Sequence, residues 1–391
     1  MKADRNEFPH FLGQQIDFIL PSRFPTEKAH GIVTVEMARA ASELGYRVQI
    51  IAPNLSGGSV KNPEGLRVNL LNSSAIKKVV SLRDSSKGKQ SQFYFKLQVF
   101  IFFISLIKNK KINPHHTYWL RDITLALLIS RLSIGRKRIV LEIHRKPTPL
   151  DSFLIKLLPR KDLVLAVISQ LINDNIPKNA PRSIISEMAV PKWFHRKTTI
   201  NKEFTFGYFG SFSSYGIPKN VEIILEALAI LSSHGETAFN AIFIGVGEDG
   251  NRRLVEKAKS LMINESQFKI IDNVEHRLIP DLMKSCEYLV FPYPYVKGIE
   301  GSFPTKLLEY ASVGCPIIAS DTPISRQIFT EKEISFYKSL DPISLSDTFL
   351  KISLDPDLTN KKISAARELA SGFSYEARVR KIIDFLEICS S

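Results

Sequence analysis

Gly301-Ser-Phe-Pro-Thr-Lys-Leu-Leu-Glu-Tyr-Ala-Ser-Val-Gly-Cys-Pro-Ile-Ile-Ala-Ser-Asp321 is the most informative stretch of this 391-residue chain. It opens on two small residues whose backbone amides can approach an anion closely. Pro304 then starts a helix, where its missing N–H costs nothing. Gly314 suits the end of that helix, and Pro316–Ser320 reads as a buried strand. A helix running straight into a buried strand is half of a parallel α/β unit. Lys306 and Glu309 lie three apart on one helical face. As a surface ion pair they would be worth a few tenths of a kcal/mol. As a site they would set a cation beside phosphates and a carboxylate against both hydroxyls of a ribose. The pattern alone leaves both readings open.

The same alternation extends in both directions. Toward the N-terminus of this half, strands are expected at Phe204–Phe209, Ala241–Gly245, Phe268–Ile271 and Tyr288–Pro292. In the front half they are expected at Gln15–Leu20, Arg47–Ala52, Thr117–Leu120, Ile139–His144 and Leu163–Ile168. A helix over Gly31–Leu44 should stop at Gly45. Near-continuous apolar strands indicate sheets covered on both faces. The expectation is a pair of doubly wound domains: residues 1–190, a basic non-periodic linker at 191–203, a second domain at 204–372 and a closing helical segment at 373–391.

Composition excludes several classes. With 44% hydrophobic and 24% charged residues the chain is neither disordered nor coiled coil. Cys286, Cys315 and Cys389 are an odd number, widely spaced, with no C-x-x-C pair. Neither a disulfide framework nor a cysteine-ligated metal site is expected. The first twenty residues hold no apolar run of the signal-peptide kind, so a cytoplasmic protein is expected. Residues 1–190 carry 29 Lys and Arg against 14 Asp and Glu, whereas the remainder carries 24 against 25. The whole surplus of +14 therefore sits in the front half. It concentrates at Ile76–Lys111, where nine basic residues, including Lys77, Lys78, Lys96, Lys108, Lys110 and Lys111, accompany the single acid Asp84. Such a field points to an anionic partner. No nucleic-acid reading motif accompanies it, so a phosphorylated acceptor or an anionic membrane surface is expected, and no nucleic acid. Within this region Phe93–Ile107 is apolar nearly all round but shorter than the roughly 20 residues a spanning helix needs. It reads as a buried helix, or alternatively as an interfacial one.

Gly245-Val-Gly-Glu-Asp-Gly250 matches G-x-G-x-x-G, with Asp272 at the end of the next strand. Taken alone this suggests a dinucleotide site and an NAD-dependent oxidoreductase. Glu248 and Asp249 weigh against it, because they place negative charge where a pyrophosphate needs bare amides and the positive end of the helix dipole.

The 301–321 stretch resembles the signature of the retaining glycosyl transferases group 1 (family 4 of the glycosyltransferases). Phe206-Gly-Tyr-Phe-Gly210 with Lys219-Asn-Val-Glu-Ile-Ile-Leu-Glu-Ala227 is similar to that family's opening strand, glycine loop and phosphate-binding lysine. Pro21-Ser-Arg-Phe-Pro-Thr-Glu-Lys-Ala-His-Gly31 resembles its donor-facing glycine loop, and Ile139-Val-Leu-Glu-Ile-His144 the strand that ends in its active-site histidine. Phe373-Ser-Tyr-Glu-Ala-Arg378 resembles the segment that returns to the first domain. The resemblance implies a GT-B fold, two Rossmann-like domains facing across a cleft, and transfer from a nucleotide-diphosphate sugar to a saccharide or lipid-linked glycan. It assigns His144, Lys219 and Glu309 to catalysis. It assigns Gly31, Gly210, Ser211, Lys219, Val274, Gly301, Ser302, Phe303, Lys306 and Glu309 to the donor. No cofactor and no metal are implied, since lysines and amides stabilise the leaving diphosphate. The sequence departs from the family at Gly301, where many members have Glu, and at Ser211, where Arg is frequent. Those departures motivate an alternative, a catalytically inactive scaffold of the same fold.

Overall fold

The computed structural model describes residues 14–26, 29–55, 63–132, 135, 137–214, 217–233, 239–272, 274–296 and 303–390. The chain forms two compact units. One is Met1–Glu187 with Tyr375–Ser391, and the other is Met188–Ser374.

The first unit runs β1 (Gln15–Ile19), α1 (Ala29–Glu43), β2 (Arg47–Pro53), β3 (Arg67–Leu71), α2 (Ser74–Asp84), α3 (Gly88–Lys108), β4 (Thr117–Leu120), α4 (Ile123–Ser130), β5 (Arg138–Ile143), α5 (Pro149–Lys156), β6 (Leu163–Val167), α6 (Gln170–Asp174) and β7 (Ser183–Ile185). Its sheet has the order β3-β2-β1-β4-β5-β6-β7, parallel throughout. Every residue of β4 and β6 is buried, as a sheet covered on both faces requires. Gly45, at φ +93°, ends α1 in a Schellman turn: its N–H donates to the Ser42 carbonyl and that of Tyr46 to the Ala41 carbonyl. The edge strands β3 and β7 were not expected. They are short and only partly buried, so their apolar signal is weak.

The second unit runs β8 (Phe204–Phe209), β9 (Ser213–Ser214), β10 (Ile217–Pro218), α7 (Ile223–Ser233), β11 (Ala241–Ile244), α8 (Gly247–Ser260), β12 (Phe268–Ile271), α9 (Ile279–Lys284), β13 (Cys286–Phe291), α10 (Thr305–Val313), β14 (Ile317–Ser320), β15 (Ser335–Tyr337), α11 (Pro342–Ser353) and α12 (Pro356–Ser371). Its main sheet is β12-β11-β8-β13-β14-β15, again parallel. The Val190 N–H donates to the Phe373 carbonyl at 2.9 Å, so the chain enters and leaves this unit side by side. The final helix, α13 (Tyr375–Ser390), packs on α1, β5 and β6 of the first unit.

One expectation needs correction. Phe93–Ile107 is only part of α3, which is 21 residues long because Lys89, Gln90 and Gln92 are good helix formers and extend it toward the N-terminus. Nor is the helix buried all round. Gln98, Val99, Phe102, Phe103, Ser105 and Leu106 are inside, whereas Phe93, Phe100 and Ile107 face out.

Candidate active site

In an open parallel sheet, ligands sit at the C-terminal ends of the strands where the winding direction reverses. In the second unit that point lies between β8 and β13, and Gly210, Ser211, Lys219, Lys306 and Glu309 gather there. β8 delivers Gly210 at φ +151°, a conformation that side chains rarely tolerate. A Cβ there would also come within 3.3 Å of the Tyr208 hydroxyl. Tyr208 Oη donates to the Ser211 carbonyl at 2.7 Å. The Lys219 N–H donates to the Phe212 carbonyl at 3.0 Å, which folds the following segment back on the glycine loop. The Lys219 ammonium then donates to Ser211 Oγ at 2.8 Å and stands 4.8 Å from the centre of the Tyr293 ring, just past β13.

Lys306 and Glu309 come from α10, whose side chains from Leu307 to Val313 are all buried. The helix is fixed to the end of β8 because the Phe209 N–H donates to Tyr310 Oη at 3.0 Å. Gly314, at φ +78°, ends it as expected. Glu309 is 8% exposed, and its Oε2 accepts from the Lys306 ammonium at 2.5 Å. The pair is thus neither a solvated surface bridge nor an open carboxylate, but a partly buried ion pair beside Lys219. Burial, and then the charge of Lys306, press the Lys219 ammonium down to about 8. Two ammonium groups therefore share the site with one carboxylate, and the surplus positive charge asks for an anion.

His276 belongs to this group, although sequence reasoning missed it. Burial lowers its pKa, Glu309 pulls the other way and Lys306 adds to the fall. Its ring lies 5.6 Å from that of Phe194 and 5.9 Å, edge-on, from that of Trp193. Its position shortly after the end of β12 was the available signal. Val274, two residues before it, is half-buried against the core under α10, as is Phe303. Gly301 and Ser302 lie outside the described residues.

Gly245 and Gly247, at φ +79° and +77°, make the turn into α8. A Cβ on Gly250 would strike Phe212 at 2.6 Å, so this glycine serves packing. Glu248 and Asp249 are exposed in the first turn of α8, and Asp249 pairs with Arg252 at 2.5 Å. They stabilise the helix through its dipole and repel a pyrophosphate.

The first unit reverses between β1 and β4. A cavity of about 380 Å³ opens there, lined among others by Phe18, His30, Phe95, Trp119, Arg121, Glu142 and Arg145. Phe18 and Trp119 stack at 5.3 Å beside it. Glu142 is the centre of the charge network. It is 1% exposed and accepts from Trp119 Nε1 at 2.8 Å and Arg121 Nε at 3.0 Å, with Arg378 of α13 at 3.5 Å. Burial alone would raise its pKa, but Arg378, Arg121 and His144 hold it well below the carboxylate range. His144 Nε2 lies 2.5 Å from Glu142 Oε2. Burial and the Arg121 charge bring His144 down to about 4, so its ring is neutral near pH 7. With Nε2–H given to the carboxylate, Nδ1 remains as an acceptor. Glu142 and Arg378, like His276, are site residues that sequence reasoning did not single out.

Asp122 caps α4, accepting from the Leu125 N–H at 2.8 Å, and Ser169 caps α6. Gly31 lies in the first turn of α1, where a Cβ would strike Thr26 Cγ2 at 2.4 Å, so its missing side chain admits Thr26. Lys77, Lys78, Lys108 and Lys110 are exposed. Lys96 instead turns inward to Thr124 Oγ1 at 2.7 Å, and Lys111 reaches Asn69 Oδ1 at 3.5 Å. Cys286 and Cys315 are buried, and burial, then the Cys315 charge, push the Cys286 thiol up to about 12.

Residues 191–369 match the profile of the family described as glycosyl transferases group 1. No curated protein sequence matches the chain. Among solved structures it is similar to a sucrose-phosphate synthase from Thermosynechococcus elongatus, with 13% identity and a TM-score of 0.71 over 96% of this chain and 98% of that one. It is also similar to a glycosyltransferase from Rickettsia africae, with 16% identity and a TM-score of 0.68 over 96% and 98%. A third is Anabaena HepE, solved in complex with UDP and glucose, with 14% identity and a TM-score of 0.69 over 96% and 100%. The fold is thus the GT-B fold, and the similarity to the group 1 family lies within the second unit.

Proposed function

We propose that this protein, with its group 1 glycosyl transferase domain, moves a sugar from a nucleotide-diphosphate donor onto a saccharide or lipid-linked glycan, with retention at the anomeric carbon. The product would be a cell-surface polysaccharide or a lipopolysaccharide-type glycan. The observation that carries this reading is the cluster of Lys219 and Lys306 over the Gly210 loop, with the single carboxylate Glu309 buried beneath them. In the reaction the bond from the anomeric carbon to the donor phosphate breaks, and the diphosphate leaves with its electron pair. Its growing charge falls between the two ammonium groups, which are already oriented and partly removed from water, the condition under which such stabilisation is strongest. Lys306 turns from Glu309 to the phosphates and frees the carboxylate for the hydroxyls of the ribose. The acceptor hydroxyl attacks from the same face as the leaving group and passes its proton to the departing phosphate oxygen, so no protein nucleophile is used. His144, neutral and held by Glu142, accepts a hydrogen bond from a sugar hydroxyl through Nδ1. The 380 Å³ cavity of the first unit receives the acceptor. The two lysines supply the charge that a metal would otherwise bring.

The test is thermal unfolding against a panel of nucleotide sugars, beginning with UDP-glucose because HepE has been solved in complex with it. A donor at 100 times its Kd raises stability by about 2.7 kcal/mol. That shift should vanish in Lys219→Ala and Glu309→Ala, and NMR of the product should show the donor's anomeric configuration. A shift that persists in both variants overturns the donor site. The scaffold reading, motivated by Gly301 and Ser211, gains one observation from the structure, the Lys306–Glu309 pair that occupies the carboxylate. Any transfer by the isolated protein excludes it.

A further inference from the structure

Helix α3 carries an apolar ridge that neither site uses. At 100° per residue, Gln98, Val99, Phe102 and Leu106 make its buried face, whereas Phe93, Leu97, Phe100, Ile104 and Ile107 fall together on the opposite side. Phe93 is 64% exposed, Phe100 48% and Ile107 41%, and the two residues between them are half-buried. From Phe93 to Ile107 the ridge runs about 21 Å. A water-facing side of a helix is normally polar, and a continuous exposed apolar strip marks a contact surface.

What covers it is decided by charge and by how the helix is held. α3 contains no acid, and exposed lysines stand at both ends of the ridge: Lys87 and Lys89 before it, Lys108 and Lys110 after it. A second copy laid ridge to ridge, in either direction, would bring lysines against lysines. Among the described residues α3 is the one helix long and apolar enough to cross a bilayer. It is nevertheless tied down along its inner side. Buried Gln98 donates to the Pro21 carbonyl and accepts from Arg83, Lys96 donates to Thr124, and the helix packs on α2 and α4. Crossing would tear out these polar contacts, so the helix is built to lie on a membrane.

We propose that the Phe93–Ile107 ridge docks the protein on an anionic lipid bilayer, with α3 in the plane of the interface, its aromatic and aliphatic side chains among the acyl ends of the headgroups and its terminal lysines on the phosphates. Phe95 of the same helix lines the cavity of the first unit, so docking sets that cavity one helix width from the lipid. This last step, presentation of a lipid-linked acceptor, rests on reading the cavity as the acceptor site, whereas the docking does not.

Co-sedimentation of the full chain with phosphatidylcholine vesicles containing 30% phosphatidylglycerol tests the docking without any nucleotide sugar, so its failure and failure of the donor reading are separate results. The wild type should bind these vesicles at least tenfold more tightly than pure phosphatidylcholine, lose most of that binding between low and high salt, and be released by alkaline carbonate. Phe93→Glu with Phe100→Glu, both at exposed positions, should cut binding at least tenfold with an unchanged melting temperature. Lys89→Glu with Lys108→Glu should abolish the preference for the anionic lipid. Binding that ignores lipid charge, survives the phenylalanine replacements or resists carbonate overturns the proposal. So does light scattering that shows a lipid-free dimer which the phenylalanine replacements dissociate.

Discussion

The two switch points handle charge in opposite ways. In the first unit two guanidiniums, Arg121 and Arg378, together with Trp119 and the neutral His144, all turn on one buried carboxylate, Glu142, so the charges are engaged with one another within the protein. In the second unit only Lys306 pairs with the one carboxylate, Glu309, while Lys219 rests on Ser211 Oγ and the Tyr293 ring, so an ammonium group is left for a ligand. A saturated network holds a neutral ring in one orientation, whereas an unsaturated one binds. The net charge of each half does not decide this: the unit with the +15 surplus has the self-paired site, and the unit that is nearly neutral overall has the one with an open cation. Total charge reports on surfaces and partners, while site charge depends on a few side chains brought together by folding.

The sharpest way to break this contrast is to remove the surplus. Glu309→Ala and Lys219→Ala should each lower kcat by about 100- to 1000-fold, the range for losing one preorganised group from a charged transition state, with circular dichroism unchanged. Breaking the balanced network should instead cost stability. Glu142→Ala leaves Arg121 and Arg378 with an uncompensated charge, a loss of about 3–5 kcal/mol for a buried pair, read as a lowered midpoint in urea. Glu142→Gln removes the same charge but keeps the shape and one acceptor oxygen, so it should lose stability as well, though less than Glu142→Ala, and lower kcat.

The pH dependence sharpens the comparison further. Lys219 is protonated below about 8 in the empty protein, so donor affinity should be flat below that pH and fall about tenfold per unit above it. Lys219→Ala should lose that limb. His144, brought down to about 4, stays neutral through the same range and adds no limb between pH 5 and 7. Its folded pKa lies below the ordinary value of 6.5, so the unfolded chain binds the proton more readily and stability should fall as the pH drops from 6.5 toward 4. EDTA should change turnover less than twofold, because the lysines carry the charge. The smallest effect is expected at the other glycine loop. Glu248→Ala should cost only a few tenths of a kcal/mol through the helix dipole and leave turnover unchanged, which separates that loop from the donor site.

Much of this was legible beforehand because it rests on short-range rules. Near-continuous apolar runs marked the central strands, and Gly45 and Gly314 marked helix ends where the backbone must take a positive φ. Gly210 and His144 were marked too, though by the family resemblance around them rather than by a short-range rule. The edge strands β3, β7 and β15 escaped because three to five residues carry little periodic signal, and β3 and β7 are only partly buried besides. Arg378 escaped as a site residue because its partner Glu142 lies 236 positions away, and nothing local marks such a pair.

The order of strands and helices, the helix stops and the separation of basic from neutral halves were determined by the sequence itself, because propensity, periodicity and charge act over a few residues. Only the tertiary structure decided that Lys306 reaches Glu309 under Lys219, that Glu142 gathers partners from β4 and α13, and that one side of α3 is left bare. Each of these depends on long-range packing, which sets which side chains lose water and which neighbours must then replace it.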